Sequence, residues 1–567
     1  MKTILNNTIT IKHVDEKVTV YGFVEKIRKL GEIIFVDLRD ESGILQIVFE
    51  SSNIDFTKES ILEIIGIVSK RKSINTNLQT GEIEIKVNSY KVLSLAEELP
   101  FEINSSNETN EELRLKYRFL DLRSKKLQEN IRLRHKVTRS MRNFLDRNNY
   151  INIETPNLGR ITPEGAKDFI VPSRKKGFFF SLPQSPQLYK QLLMASGFEK
   201  YYQIARAFRD EKSRKDRQLE FTQLDIEMAY AKEEIVIHLI ENLFKEIFTD
   251  LNIDIKIPFP KMNYDDALNQ YGSDKPDLRY EYKLQDFSHL IPKFNSKVFK
   301  NVKSLKIIII PYNITKKQFE FLEEEAKQNH SKGLLYANFE KNKAISGNFF
   351  QFFKSELEII QGELKHNFKE KFAILAIADD LEIVNQALGS VRVKLDEFFD
   401  FEKKDFAFTW VINWPLYEFD KEVNKFQAAH HPFTMPQLEY LDNFDKKPME
   451  AKSRAYDIVL NGYEVGGGSI RINDLEIQKR MFRTLGLSEK QIEEQFDFFL
   501  TAFKYGFPPH GGIALGIDRL LSILTNSTSI RDVIAFPKNS KGIDPFTKAP
   551  SKLENELLKE YGIIIKE

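Results

Sequence analysis

The sequence predicts an α/β multidomain chain of the α+β kind, with a small β-barrel first and then a larger domain interrupted by an α/β insert. Three observations carry this. Residues 1 to about 100 hold short β-rich runs cut by turn residues. An amphipathic helix at Ile131–Asn149 runs straight into an extended segment. A Lys- and Phe-rich stretch with Ile307–Ile310 as a buried strand then separates that part from a strand pattern resuming at Phe406.

In chain order, the barrel is expected over 1–104. Its runs are Val18–Val24, Ile33–Leu38, Leu45–Phe49 and Ile83–Val87, with turns at Gly31, Ser42-Gly43 and Thr80-Gly81. This spacing suits a small closed barrel, for which an OB-fold is the natural candidate. Residues 1–100 carry 13 basic against 15 acidic side chains, so the barrel is not basic overall, but Lys26-Arg28-Lys29 and Lys70-Arg71-Lys72 concentrate positive charge. Phe35 beside those clusters is either core or a platform for an unpaired base, a stacking contact worth about 1–3 kcal/mol.

The polar stretch Asn104–Asn110 reads as a hinge, placed at 105–126. A catalytic domain is expected at 127–284, an insert at 285–403, and the second part of the catalytic domain with a C-terminal extension at 404–567. In the first part, apolar Ile131, Val137, Met141, Phe144 and Leu145 stand at helical spacing ahead of the extended Ile151–Pro156.

Bulk properties set limits. A chain of 567 residues makes roughly three or four domains. Net charge is +1, so a nucleic-acid surface must be local. The absence of cysteine excludes disulfides, thiolate metal sites and a cysteine nucleophile. The first residues lack the apolar run of a signal peptide, and Ile307–Ile310 is too short to span a bilayer, so a soluble cytoplasmic protein without a membrane partner is expected.

Chemistry concentrates in a few segments. Phe208-Arg209-Asp210-Glu211 and Glu220–Asp225 read as adjoining strands joined by a charged loop. Arg209 stays charged and offers a planar fork suited to phosphate, and Phe221 offers a flat face for a purine. Either tetrapeptide alone is as well read as a solvated strand end. Gly511–Leu521 puts a small-residue strand ahead of Arg519 at the start of an apolar helix, an arrangement that favours anions but also serves packing. Asp457 and Glu464 are spaced to sit on consecutive strand turns as hard oxygen ligands, next to Gly466-Gly467-Gly468, which admits a close ligand.

Taken in order, the helix and strand ending at Pro156, the Arg209 segment and the Arg519 segment resemble motifs 1, 2 and 3 of class II aminoacyl-tRNA synthetases. Thr162–Ala166, Gln184–Gln191, Tyr271–Asp277, His430–Thr434 and Gly462–Arg471 are similar to bacterial-type aspartyl-tRNA synthetases over almost the whole chain. The chain departs from the usual pattern at Leu219, where a proline is common, and at Lys29, commonly acidic.

The resemblance implies an antiparallel-sheet catalytic domain and an OB-fold that reads the anticodon through Arg28, Phe35 and Gln46. It implies ATP as substrate, with Arg209 on the α-phosphate, Arg519 on the γ-phosphate and one adenine face, and Phe221 on the other face. Asp210, Glu211, Gln218, Glu464, Gly516, Ile517 and Asp518 complete the nucleotide site, and Asp457 with Glu464 holds Mg²⁺. Arg209 and Arg519 are the catalytic pair, acting by positioning and charge stabilisation. For L-aspartate the implied contacts are Arg209, Arg471 as a bidentate clamp and Lys190 as a point charge. Asp225, Gln187 and Ser185 take the α-ammonium, His430 touches the guest, and Glu164 belongs to a mobile lid. A neutral amide would leave the two cations unpaired. Pro156 and the motif 1 helix imply a homodimer. The implied partner is tRNA(Asp), charged at its 3′-hydroxyl. An enzyme that also charges tRNA(Asn) is the nearest alternative, Leu30 resembling the discriminating form; a non-translating RNA-binding module and an asparagine synthetase are more distant.

Overall fold

The computed structural model describes residues 4–51, 53–161, 165–364 and 371–565. The chain divides into two compact units, Met1–Glu111 and Glu112–Glu567.

The first unit is a closed barrel in the order Lys17–Leu30, Ile33–Arg39, Ile44–Phe49, Ile83–Ser94, Ile61–Lys70. Alternation fills it. Val18, Val20, Val24, Val36, Leu38, Leu45, Ile47, Leu62 and Ile64 point inward, and closure removes the exposed edges of an open sheet. Leu30 pairs with Ile33 across a two-residue turn in which Gly31 adopts φ 62, a backbone conformation that a side chain disfavours.

The second unit is built on an eight-stranded sheet. Its order is Lys261–Asn263, Phe408–Ile412, Ala455–Leu460, Tyr463–Ile470, His510–Gly516, Glu220–Ala229, Lys200–Phe208, Ile151–Asn152. The interior pairings are antiparallel, whereas the outermost pairing at each end is parallel, a refinement of the all-antiparallel expectation. The helices Lys125–Arg147 and Glu233–Asp250 lay apolar faces on this sheet: Val137, Met141 and Leu145 from the first and Ile240, Phe244 and Phe248 from the second are fully or almost fully buried.

The insert carries its own five-stranded sheet, ordered Gln285–Asp286, Ser304–Ile310, Lys371–Asp379, Leu335–Glu340, Lys343–Ser346. Ser304–Ile310 is buried throughout because both sheet faces are covered: Ile308 and Ile310 enter one core, Leu305, Ile307 and Ile309 the other. Lys306 interrupts the apolar run. Its ammonium donates to Asn269 Oδ1 and the Asn269 carbonyl at 3.0 Å and to Asn385 Oδ1 at 2.7 Å, tying the insert to the Tyr264–Tyr271 helix. Gly272, at φ 69, ends that helix where a Cβ would stand 2.2 Å from the Asn385 carbonyl, so the joint admits no side chain. Among the described residues, no helix is long and apolar enough to cross a membrane.

Candidate active site and nucleic-acid interface

A cleft of about 370 Å³ lies over the middle of the eight-stranded sheet, within the usual size of a small-molecule site. Its floor follows from strand periodicity. Along Glu220–Ala229, Leu224, Ile226 and Met228 enter the core, so Phe221, Gln223 and Asp225 fall on the other face and line the cleft, with Glu227 next in the row.

Asp457 and Glu464 are not on consecutive turns of one strand, as expected, but on neighbouring strands. Asn461-Gly462, both at positive φ, turn the chain between them in a two-residue hairpin, so Leu460 faces Tyr463 and Glu464 faces Val459; a register shift at Ile458/Val459 then sets Gly467, rather than Gly466, opposite Asp457. That hairpin pairing puts Glu464 on the face of Val459 and therefore of Asp457, two residues away on the same strand. A Cβ on Gly467 would stand 2.7 Å from Asp457 Oδ1 and 3.7 Å from Glu464 Oε1, so the glycine leaves open the space both carboxylates address. Burial pushes the Asp457 carboxyl up to about 6. Its Oδ1 meets His430 Nε2 at 2.9 Å. Burial pulls His430 down, but Asp457 outweighs it and holds the ring above its ordinary value. Among the described residues there is no group of three or more His, Asp or Glu arranged to hold a metal ion.

The far end of the cleft is a buried four-charge socket. Arg471 donates to Glu227 through Nε at 3.0 Å and Nη2 at 3.2 Å, while Nη1 reaches Ser469 Oγ at 2.6 Å and also meets His431 Nε2. Lys190 lies 3.0 Å from Asp225 Oδ1 and 3.4 Å from Glu227 Oε2. Burial raises the Glu227 carboxyl, but Arg471 and Lys190 outweigh it and hold it below the usual range. Burial, followed by Arg471, keeps His431 neutral. This corrects the expectation of two cations left unpaired by a neutral guest: Glu227 and Asp225 already balance them.

At the other end, the Arg209 guanidinium lies 5.0 Å from the Phe221 ring centroid and has no carboxylate within 4 Å among the described residues. Arg519 is anchored by Nη1 to the Glu464 carbonyl at 2.5 Å, with Asp216 3.8 Å from Nη2, and its buried Nε lacks a partner among the described residues. Ser185, Gln187, Glu211, Gln218, Gly516 and Asp518 also border the cleft.

Several expectations need amendment. The Gln218 amide is spent on the Lys538 backbone, donating at 3.0 Å and accepting at 2.8 Å. Asp518 gives one oxygen to Arg134 and the other to the Thr222 N–H, so its carboxylate is structural. Ile517 is apolar and fully buried in the core, and Asp210 is exposed with its N–H on the Lys167 carbonyl; neither lines the cleft. Glu164 lies outside the described residues. Sequence reasoning missed Gln223, Glu227, His431 and Ser469. For the first two a signal was present, since they continue the every-second-residue row of Phe221 and Asp225.

On the barrel, Arg28, Phe35 and Gln46 come together. Arg28 pairs across strands with Phe35, and donates to Asp37 Oδ1 at 2.6 Å and Gln46 Oε1 at 3.2 Å. Arg71 donates to Gln46 Oε1 at 2.8 Å, and Gln46 donates to Glu84 at 2.7 Å. Phe35 is half-buried on the outer face rather than in the barrel core, leaving ring surface for stacking.

Comparison with known proteins agrees with this geometry. The family described as tRNA synthetases class II (D, K and N) matches residues 110–540, and the OB-fold nucleic acid binding domain matches 18–93. The chain is 47% identical to the aspartate–tRNA ligase of Malacoplasma penetrans, covering 99% of each chain. It is 46% identical to that of Ureaplasma parvum, covering 98% of each. A crystal structure of asparaginyl-tRNA synthetase from Pyrococcus horikoshii complexed with asparaginyl-adenylate superposes with TM-score 0.58 at 20% identity, over 95% of this chain and 98% of that one, a likeness of fold. With a three-quarter-length family match, near-full-length relatives and a charged cleft on an eight-stranded sheet, the chain belongs to the class II tRNA synthetases of the D, K and N group and carries an OB-fold nucleic acid binding domain.

Proposed function

We propose that the chain is an aspartate–tRNA ligase, activating L-aspartate with ATP and passing it to the 3′ end of tRNA(Asp). The observation that carries this is the charge arrangement of one cleft. A four-charge socket at one end suits a small dicarboxylic amino acid, and Arg209 and Arg519 beside Phe221 at the other suit a nucleoside triphosphate. Near-full-length relatives named aspartate–tRNA ligase support it.

In the first step a carboxylate oxygen of aspartate attacks the α-phosphorus of ATP, the bond to the bridging oxygen breaks, and pyrophosphate leaves. No side-chain nucleophile is needed; assembling two anions and stabilising the added charge is the task. Arg209 meets the α-phosphate, Phe221 and Arg519 hold the adenine between them, and Arg519 reaches toward the γ-phosphate. The pair Asp457 and Glu464 fits Mg²⁺: two hard-oxygen carboxylates share an opening kept by Gly467, and burial has made Asp457 costly to ionise without a nearby cation. Mg²⁺ bound there would neutralise the departing pyrophosphate. In the second step the 3′-hydroxyl of the terminal adenosine attacks the aspartyl carbonyl and AMP leaves.

Selection among aspartate, asparagine and lysine rests on the donors that remain to the guest. Arg471 Nη2, which gives one N–H to Glu227, and the Lys190 ammonium are donors only. They donate to an aspartate carboxylate, oppose the N–H₂ of an asparagine amide and repel a lysine side chain. The buried Gln187 amide N–H, without a partner among the described residues, is a further donor to a carboxylate. Asp225 and Ser185 receive the α-ammonium.

A homodimer is supported by the sheet edge at Ile151–Asn152, where Ile151 is 49% and nearby Leu158 52% exposed. A cytoplasmic site of action follows from the substrates. The decisive experiment offers labelled aspartate, asparagine and lysine to tRNA(Asp) and tRNA(Asn) with ATP and Mg²⁺. Aspartate on tRNA(Asp) alone is expected. Aspartate on both tRNAs would indicate a relaxed enzyme, and loading of asparagine or lysine would overturn the reading.

A further inference from the structure

The geometry points to Arg134, on the helix Lys125–Arg147, as a positioning residue for ATP that sets the width of the purine slot between Phe221 and Arg519 without touching the nucleotide. This rests on the proposed placement of adenine in that slot. Asp518 immediately precedes Arg519 at the start of the helix Ile517–Leu524, and its side chain is almost completely buried. One of its oxygens accepts from Arg134 Nη1; the other accepts from the Thr222 backbone N–H at 2.8 Å. Thr222 follows Phe221 and lies one residue beyond Gln223, where the strand's pairing with His510–Gly516 ends at Gln223↔Gly516. One carboxylate therefore joins the neighbours of both slot walls at the point where the ladder stops. The Arg134 guanidinium supplies the charged donor that fixes the aim of that carboxylate.

The same Arg134 Nη1 donates to the Val533 carbonyl at 3.2 Å. The segment around it is held in one row. Arg118 donates to the carbonyls of Arg531 at 2.8 Å, Ile534 at 2.9 Å and Ala535 at 2.9 Å, and Asn130 to that of Asp532 at 3.0 Å. Ile530, at the start of that segment, borders the cleft. The Lys125–Arg147 helix and the residues before it thus brace the nucleotide end of the cleft from behind, with Arg134 at the junction.

The test compares Arg134→Leu and Arg134→Lys with the parent by aspartate-dependent ATP–pyrophosphate exchange, with circular dichroism to verify folding. The KM for ATP should rise about ten-fold in Arg134→Leu and about three-fold in Arg134→Lys, which keeps the charge but is one bond shorter and ends short of the place where Nη1 meets both Asp518 and the Val533 carbonyl. The kcat and the KM for aspartate should stay within about two-fold. If Arg134→Leu fails to fold, Arg134→Lys decides alone. Folded variants with an unmoved KM for ATP, or with kcat and both KM values displaced together, would overturn the positioning role. Phe221→Ala separates the two layers. If it leaves the KM for ATP unchanged, the slot reading and this inference both fall; if it raises that KM while the Arg134 variants do not, the slot stands and Arg134 has no part in it.

Discussion

The Arg471–Glu227 pair gives the sharpest energetic prediction. Both side chains are 1% exposed or less, and two N–H···O bonds of 3.0 and 3.2 Å join them. At about 3 Å and an effective dielectric near 20 their attraction is about 5 kcal/mol, largely offset by the cost of removing both charges from water. Deleting one partner leaves that cost uncompensated, typically about 3–5 kcal/mol. Arg471→Leu should fall at the low end, since Lys190 remains 3.4 Å from Glu227. Glu227→Leu should fall at the high end, since it strands Arg471 with only Ser469 and a neutral His431. The double variant removes both charges and should cost no more than about 2 kcal/mol, a coupling well above the few tenths expected of independent sites. Urea unfolding followed by tryptophan fluorescence reads this directly. The only tryptophans are Trp410 and Trp414, both buried in the catalytic unit, and Trp410 packs edge-on against Tyr456, 6.2 Å away between centroids. All three variants should lose aspartate-dependent exchange. Additive stabilities, with the double variant near the sum of the singles, would refute the claim that the two charges compensate each other.

Other outcomes follow from the same structure. Gly467→Ala would place a methyl group 2.7 Å from Asp457 Oδ1; it should raise the Mg²⁺ concentration needed for half-maximal exchange by about ten-fold, and an unchanged Mg²⁺ titration would remove these carboxylates from metal binding. Burial pushes His510 down to about 4, against about 6.5 in an unfolded chain. The neutral ring therefore contributes its stability in full above pH 6.5 and loses it as pH falls toward 4, by about 3 kcal/mol; His510→Asn should flatten this limb of the stability–pH curve, and an identical curve would contradict the assignment. Phe35→Ala should weaken tRNA binding by about 1–3 kcal/mol while leaving exchange at its normal rate; equal loss of both would deny the barrel a separate reading role.

The parts legible in the sequence are those encoded locally. Alternation in Val18–Val24 and Ile33–Leu38, with Gly31 between, is enough to propose a barrel, and the apolar run at Ile307–Ile310 is enough to propose a buried strand. Candidate ligands such as Arg209, Phe221, Lys190 and Arg471 stand out by residue type and resemblance. What escaped depends on distant pairing. The row of Phe221 and Asp225 marks the face that Glu227 takes, but its partner lies 244 positions away, so its role as a counter-charge is not marked locally. The irregularity beside Val459 sets Gly467, rather than Gly466, opposite Asp457, and a one-residue slip of register leaves no mark in composition. The resemblance implies a nucleotide role for Asp518, whereas its side chain turns to a helix residue 384 positions earlier, a pairing that no local pattern marks.

The cleft floor is carried by ladder positions of neighbouring strands, and this constrains how such a protein can change. Dropping or adding one residue in Glu220–Ala229 would rotate every later side chain by half a turn, sending Leu224 and Ile226 toward the guest and burying Asp225 and Glu227 in hydrocarbon. Point replacements can retune such a floor gradually; length changes there are all-or-none, so evolutionary drift in chain length is confined to the connections between strands.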